Sequence, residues 1–245
     1  MLKYRQGLAD RPSYDMDTNE YRITLNANES TMNLPPIVED RLMGRFASIA
    51  FNRYPGAEDY LSLTRQIAAN FKVQPENILL GNGSSEIIEK LFYCFGGSKD
   101  AAIVYPQPSF SMYGIYAAAA EAKGVPVDLE PDYTLDLEKF VSAVIKNKAR
   151  LCVICNPNNP TGTGFSVSDI QYIADNIPTS CAFLVDEAYV EFYGQSAVSL
   201  LKDYPNMIIA RTFSKAYGLA SCRVGYMLAD AKIVEGRRIY ATLAK

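Results

Sequence analysis

Lys215 lies in a run of small, hydroxyl and glycine residues that extends from Thr212 to Arg223. A lysine in such surroundings can present its amine to a ligand for covalent chemistry. On this segment alone, the alternative is an ordinary solvated lysine in a loop. The run follows the apolar stretch 207–210, which is typical of a buried strand. Other segments of the chain have to decide between the two interpretations.

The composition is that of a globular protein, with 49% hydrophobic and 21% charged residues in a chain of 245. A net charge of -3 without a basic block gives no support for a nucleic acid or an anionic membrane as partner. No apolar run is long enough to span a bilayer, and Met1 to Arg5 are not followed by the apolar core of a signal peptide. We therefore expect a cytoplasmic protein.

The chain has no histidine, which excludes Ser-His and Cys-His nucleophile pairs and histidine-based metal sites. Acid and base chemistry must come from lysine, carboxylate, tyrosine or a cofactor. Cys152 and Cys155 have C-x-x-C spacing, but they lie in a strand-like run, where residues three apart point to opposite faces. We expect them to be core residues, and no metal site is predicted.

From about residue 75, short apolar runs alternate with amphipathic stretches, which predicts βαβ units around a mainly parallel sheet. Seven strands are predicted, at 78–80, 101–105, 125–129, 151–155, 182–185, 207–210 and 224–228. Helices are predicted at 58–71, 85–95, 109–122, 135–145 and 166–176. Residues 1–50 lack the alternation and are predicted to form an arm and a first helix. Ligands are expected at the carboxyl ends of the strands.

Several predicted strand ends carry residues suited to binding. Gly81 to Ser85 follow a strand and precede a helix, so their amides and hydroxyls could cradle a phosphate, although a simple helix cap is the alternative. The rigid loop 156–162 could turn asparagine amides toward a ligand, and Asp186 could pair with a buried cation. Tyr189 could reach the same ligand, and Phe110 is either a flat ring for stacking or a core aromatic.

In this order, these segments resemble the class I and II aminotransferases of the fold-type I pyridoxal-phosphate enzymes. The resemblance is strongest to the histidinol-phosphate aminotransferase branch, through the motifs at 25–29, 53–55, 81–84 and 211–220. Threonine-phosphate decarboxylases share many of the same motifs. The resemblance implies an α/β fold, a three-layer α/β/α large domain with a mostly parallel seven-stranded sheet. It assigns 51–245 to that cofactor-binding domain.

The resemblance also implies a role for each site residue. Lys215 would hold pyridoxal 5'-phosphate as a Schiff base, and Asp186 would keep its ring nitrogen protonated. Asn159 and Tyr189 would bind the phenolic oxygen of the ring, and Phe110 would stack on its face. The phosphate would be bound by a larger group of residues, namely Gly83, Ser84, Ser85, Thr212, Ser214 and Arg223.

Tyr54, by the same resemblance, would reach the phosphate of a neighbouring subunit, which implies a homodimer with shared sites. The implied reaction moves an amino group from an amine, such as histidinol phosphate or an aromatic amino acid, to a 2-oxo acid. Decarboxylation on the same scaffold is the alternative chemistry. Family members continue past the position of Lys245 with a small domain, so we expect this domain to be absent or incomplete. An inactive remnant that only binds cofactor or dimerises is a further alternative.

Overall fold

A computed structural model describes residues 21–236 of the chain. It contains seven strands, which are β1 (Ile78–Asn82), β2 (Ala102–Gln107), β3 (Lys123–Asp128), β4 (Leu151–Cys155), β5 (Ala182–Asp186), β6 (Met207–Thr212) and β7 (Val224–Ala229). Its helices are α1 (Pro36–Phe46), α2 (Ala57–Phe71), α3 (Gly83–Phe95), α4 (Met112–Ala119), α5 (Leu137–Lys146), α6 (Val167–Asn176) and the short α7 (Val190–Tyr193).

The strands form one sheet in the order β1-β7-β6-β5-β4-β2-β3. Strands β2 to β6 pair in parallel, whereas β7 is antiparallel to both of its neighbours, β1 and β6. The strands other than β7 therefore run in one direction, and their carboxyl ends lie along the same edge. The amino end of β7 lies at that edge too.

Helices cover both faces of the sheet, which gives three layers. One buried cluster joins the sheet to α2, α5 and α6, and a second joins its other face to α3 and α4. Strand β4 shows why the sequence requires both layers, since all five of its residues are apolar and buried. Cys152 belongs to the first cluster and Cys155 to the second, so these thiols lie on opposite faces as predicted.

The predicted fold class is confirmed, and each of the seven predicted strands is present within two residues of its predicted bounds. Helix α4 is shorter than predicted at both ends, because residues 109–111 form the connection from β2 and residues 120–122 form the turn that leads into β3. Residues 1–20 of the predicted arm lie outside the described residues. Helix α1 has no buried residue. Among residues 21–236, no helix is long and apolar enough to cross a membrane.

Candidate active site

A cavity of about 520 Å³ lies at the carboxyl edge of the sheet. The segments that follow β2, β4, β5 and β6 contribute to its lining, together with the start of α3 and the residue before β7. The lining includes ten of the residues predicted from the sequence, namely Ser84, Ser85, Phe110, Asn159, Asp186, Tyr189, Thr212, Ser214, Lys215 and Arg223. The topology thus brings together side chains that are up to 139 positions apart in the chain.

One end of the cavity is rich in hydrogen-bond donors. Helix α3 begins at Gly83, so the free amides of its first turn and the hydroxyls of Ser84 and Ser85 lie at this end. Thr212 Oγ1 is 3.0 Å from Ser214 Oγ, and both side chains are buried. Hydroxyls and helix amides in such a cluster form an anion-binding site.

Arg223 closes this end of the cavity. Its Nη1 donates to Ser214 Oγ at 3.3 Å and to the carbonyl oxygen of Ala220 at 3.1 Å. Gly83 has φ +79°, and a Cβ at this position would lie 2.6 Å from Arg223 Nη2. Only glycine therefore allows the guanidinium to approach the start of α3 so closely.

Asp186 is the last residue of β5, and its carboxylate is 2% exposed. Tyr113 donates its hydroxyl to Asp186 Oδ2 at 2.8 Å, and the amide of Ala188 donates to Oδ1 at 3.2 Å. Among the described residues, no lysine or arginine forms an ion pair with this carboxylate. Burial raises the pKa of Asp186 to about 6, against the opposing effect of the two hydrogen bonds. A buried carboxylate without a cation thus faces the cavity.

Lys215 is half-buried in the turn that follows β6. Its Nζ donates to the carbonyl oxygen of Ala27 at 2.5 Å and lies 5.8 Å from the centre of the Tyr189 ring. Burial lowers the pKa of the Lys215 amine; the charge of Glu29 opposes this effect, and that of Arg223 adds to it. The environment therefore favours the neutral, nucleophilic form of the amine more than water does.

Two aromatic residues also line the cavity. Tyr189 follows β5, and its hydroxyl accepts a hydrogen bond from Asn28 Nδ2 at 3.1 Å. Phe110 packs edge-on against Tyr113, with 5.5 Å between the ring centroids. Phe110 is thus both a cavity residue and part of the aromatic packing, and its stacking on a ligand stays a prediction.

The loop after β4 differs from the expectation that its asparagine amides face a ligand. Asn156 is buried and is hydrogen-bonded to the backbone of Phe165 through both ends of its amide. Asn158 donates to the carbonyl oxygen of Pro108 and accepts from Ser109. Only Asn159 of the three lines the cavity, because the other two amides hold the loop to neighbouring segments, Asn156 to Phe165 and Asn158 to Pro108 and Ser109.

Tyr54 does not line the cavity of its own chain, and 99% of its side chain is exposed. Sequence reasoning did not identify Tyr113, Cys155 and Asn28 as site residues. Tyr113 and Cys155 looked like ordinary apolar core positions. The polar turn 26–30 was the available signal for Asn28, because a polar segment without helical or strand periodicity is free to cross a cavity mouth.

The fold is that of pyridoxal-phosphate-dependent transferases. A solved structure of histidinol-phosphate aminotransferase from Sinorhizobium meliloti, in complex with pyridoxal-5'-phosphate, superposes with a TM-score of 0.77. The two sequences are 30% identical, and the match covers 85% of this chain and 56% of the other.

The chain belongs to the family of class I and II aminotransferases, whose family model matches residues 20–243. A relative named histidinol-phosphate aminotransferase, from Caldanaerobacter subterraneus subsp. tengcongensis, is 38% identical over 94% of this chain. A second one with this name, from Thermococcus gammatolerans, is 39% identical over 91% of the chain. The chain spans 65% and 63% of the lengths of these two relatives.

Proposed function

We propose that the chain is the cofactor-binding part of a pyridoxal-phosphate-dependent aminotransferase. The amino donor would be histidinol phosphate or an aromatic amino acid, and the acceptor a 2-oxo acid. One observation carries the proposal: a single cavity contains the Lys215 amine, the Asp186 carboxylate without a cation, and a hydroxyl-rich anion site beside Arg223. The family and the names of the relatives support the reaction class.

The anion site fits a phosphate group. Hydroxyls from Ser84, Ser85, Thr212 and Ser214, the first amides of α3 and the Arg223 guanidinium are all donors at one end of the cavity. Arginine matches phosphate oxygens through paired N–H donors. Gly83 belongs to this site because its missing side chain leaves room for the guanidinium.

Asp186 fits a ring nitrogen that carries a proton. Its carboxylate is buried and has only neutral donors, so a cationic partner would relieve the cost of its charge. When bound, pyridoxal phosphate supplies an electron sink for negative charge that develops at the α-carbon of the substrate. Asp186 would sustain that sink by holding the proton on the ring nitrogen.

Lys215 would attach the cofactor aldehyde as a Schiff base, with loss of one water. Once released by the incoming amine, Lys215 Nζ would take the proton from the substrate α-carbon. Its lowered pKa supports both roles, because only the neutral amine is a nucleophile and a base. Asn159 and Tyr189 would orient the phenolic oxygen of the cofactor, and Phe110 would stack on its ring; all three line the same cavity.

A homodimer would complete the site. Tyr54 is 99% exposed in the single chain, as expected for a residue that reaches a second subunit. Complementation tests this directly: Tyr54→Ala and Lys215→Ala chains are inactive alone, and mixed dimers regain part of the activity because one site then has both residues intact. No recovery on mixing would argue against shared sites.

The domain division and the location follow from the same proposal. Residues 51–245 would form the cofactor-binding domain, preceded by the arm and first helix. Five cysteines, each of them free, fit a reducing compartment such as the cytoplasm.

The reaction is tested with the cofactor-loaded protein and a panel of amines, by following the absorbance of the bound aldehyde form. Transamination predicts conversion to pyridoxamine phosphate with histidinol phosphate or an aromatic amino acid, and reversal by a 2-oxo acid. Release of carbon dioxide would instead identify a decarboxylase. No spectral change with any donor would contradict amino transfer by this chain.

A further inference from the structure

Tyr113 contacts Asp186 and Phe110, two of the residues proposed to bind the cofactor. It lies on α4, is fully buried, and donates its hydroxyl to Asp186 Oδ2 at 2.8 Å. Its ring also packs edge-on against Phe110, at 5.5 Å and 86°. Tyr113 does not line the cavity, so it would act on a ligand only through these two residues.

The ring of Tyr113 is held firmly in this position. Phe92 of α3 stacks on it, with 6.1 Å between the centroids and 12° between the planes. Tyr105 of β2 packs against it at 6.3 Å. With its ring enclosed by three aromatic side chains, the phenol keeps one orientation, and its O–H points at the carboxylate.

In the part of the chain that the structure describes, five titratable groups interact with Asp186. Tyr113 and Tyr116 face it from α4, Cys155 is its register partner on β4, and Glu187 and Tyr189 follow it in the chain. Glu187 is the only other carboxyl among these groups, and it is paired with Arg211. The hydroxyl of Tyr113 and the amide of Ala188 are therefore the donors that stabilise ionised Asp186.

We propose that Tyr113 is a positioning residue, whose hydroxyl fixes the Asp186 carboxylate in the orientation and ionised state that a cationic ring nitrogen requires. The role of Tyr113 toward the cofactor rests on the proposed function, whereas its hydrogen bond to Asp186 lies within the protein itself. Asp186 is the residue that meets the cofactor, and Tyr113 acts through it.

The hydrogen bond matters because the carboxylate is otherwise destabilised. Burial raises the pKa of Asp186 to about 6, and the Tyr113 hydroxyl lowers it. Without that hydroxyl the pKa rises further, so more of the carboxyl is protonated near neutral pH and cannot pair with a cation. Loss of a hydrogen bond to a charged group shifts such a titration upward by about one pH unit.

Carboxyl 13C NMR of the cofactor-free protein tests the inference directly. Aspartate side chains are labelled, and the Asp186 signal is assigned from its loss in Asp186→Asn. In Tyr113→Phe, which keeps the ring, we expect the Asp186 midpoint to move upward by about one pH unit. Tyr226→Phe is the matched control, since it removes a buried hydroxyl from the opposite face of the sheet. In this variant the Asp186 midpoint should equal that of the unaltered protein. An unchanged midpoint in Tyr113→Phe would overturn the inference.

Cofactor affinity provides a second test. The ratio of dissociation constants for pyridoxal phosphate, Tyr113→Phe over unaltered protein, should be about fivefold at pH 6 and near one at pH 8, where both carboxyls are mostly ionised. A ratio that does not change with pH would show a merely structural role. If the protein binds no cofactor at all, the proposed function fails, whereas the NMR titration still decides on Tyr113.

A second variant at Tyr113 covers the case in which Tyr113→Phe does not fold. Tyr113→3-fluorotyrosine keeps the packing and makes the phenol a stronger donor. It should lower the Asp186 midpoint, and a rise or no change would overturn the inference.

Discussion

Asp186 and Glu187 are consecutive acids at the end of β5, and they have opposite surroundings. Glu187 is 0% exposed and accepts from Arg211 Nε at 2.9 Å, from the amide of Ala197 at 2.7 Å and from Ser196. The Arg211 guanidinium in turn lies over the ring of Phe71. Asp186, one residue earlier and on the opposite face, has within residues 21–236 only the neutral donors Tyr113 and Ala188.

The difference distinguishes a structural acid from a binding acid. Burial raises the pKa of Glu187, while the charge of Arg211 opposes the rise, so the carboxylate is paired within the fold itself. Asp186 faces the cavity with its charge uncompensated. A sheet edge can thus keep one carboxylate for stability and expose its neighbour to a ligand, because successive residues of an extended chain point to opposite faces.

Arg211→Met should cause the largest loss in the free energy of unfolding. It leaves Glu187 buried without its cation, and breaking such a pair costs about 3–5 kcal/mol in the free energy of unfolding. Denaturant unfolding at pH 7 measures this. The control is Arg65→Met, which breaks an exposed pair with Glu58 and should cost less than about 1 kcal/mol. Equal losses in the two variants would show that the Glu187 pair is no more than a surface contact.

Asp186→Asn should change the free energy of unfolding in the opposite direction and stabilise the cofactor-free protein. The pKa of Asp186 is raised from 3.8 to about 6 by folding, so the native state holds its proton more tightly. Stability contributed by the protonated form is lost as pH rises from about 4 to about 6, and above pH 6 ionised Asp186 costs up to about 3 kcal/mol. Cofactor-free Asp186→Asn should therefore gain stability relative to the unaltered protein over this interval.

The measurement is a series of unfolding curves between pH 4 and pH 8. Asp132→Asn serves as a control whose stability difference from the unaltered protein should stay constant above about pH 5. Hydrogen bonds from Thr134 lower the pKa of Asp132, so both its folded and unfolded pKa lie below this interval. That group contributes stability above its unfolded pKa and loses it as pH falls. A difference between Asp186→Asn and the unaltered protein that does not vary with pH would contradict an unpaired, buried Asp186.

Gly83→Ala tests the anion end of the cavity. The positive φ of +79° costs about 1–2 kcal/mol for alanine, and the added Cβ displaces the Arg223 guanidinium. Gly194→Ala is the matched control, with φ +81° and no atom near the added Cβ. Both should lose similar stability in thermal unfolding, but only Gly83→Ala should bind inorganic phosphate and cofactor more weakly. Equal phosphate affinity in the two variants would exclude this site as the phosphate cradle.

Ser166→Ala should cause the smallest loss of stability. Ser166 caps α6 by accepting from the amide of Asp169 at 3.1 Å, and it does not line the cavity. Its loss should cost about 1 kcal/mol of stability, with cofactor affinity unchanged. Thermal unfolding and a cofactor titration measure the two quantities. A change in affinity would show that general destabilisation, and not local contacts, accounts for binding losses in the other variants.

The sequence predicted the sheet and the cavity lining well, because both depend on local patterns. Apolar runs bounded by Gly, Pro and polar residues mark strands, and parallel strands place their carboxyl ends at one edge. Lys215, Asp186 and Ser84 could therefore be assigned to one site without knowledge of their contacts.

The supporting residues could not be predicted in this way. Tyr113 meets Asp186 across 73 positions, through the packing of α4 on the sheet, and nothing local distinguishes it from other core aromatics. Arg211 precedes the hydroxyl-rich run, yet it points to the opposite face and pairs with Glu187. The prediction that the asparagine amides face a ligand failed for Asn156 and Asn158 for the same reason. Only the folded loop shows that Asn156 binds the backbone of Phe165 and that Asn158 binds Pro108 and Ser109.

The attachment site of the cofactor tests the central claim most directly. The protein is loaded with pyridoxal phosphate, reduced with borohydride, digested and mapped by mass spectrometry, with Lys215→Ala as the control. The account predicts one modified lysine, Lys215, in the peptide that contains 212–223, and no adduct in the control. An adduct on another lysine, or none in the unaltered protein, would contradict it.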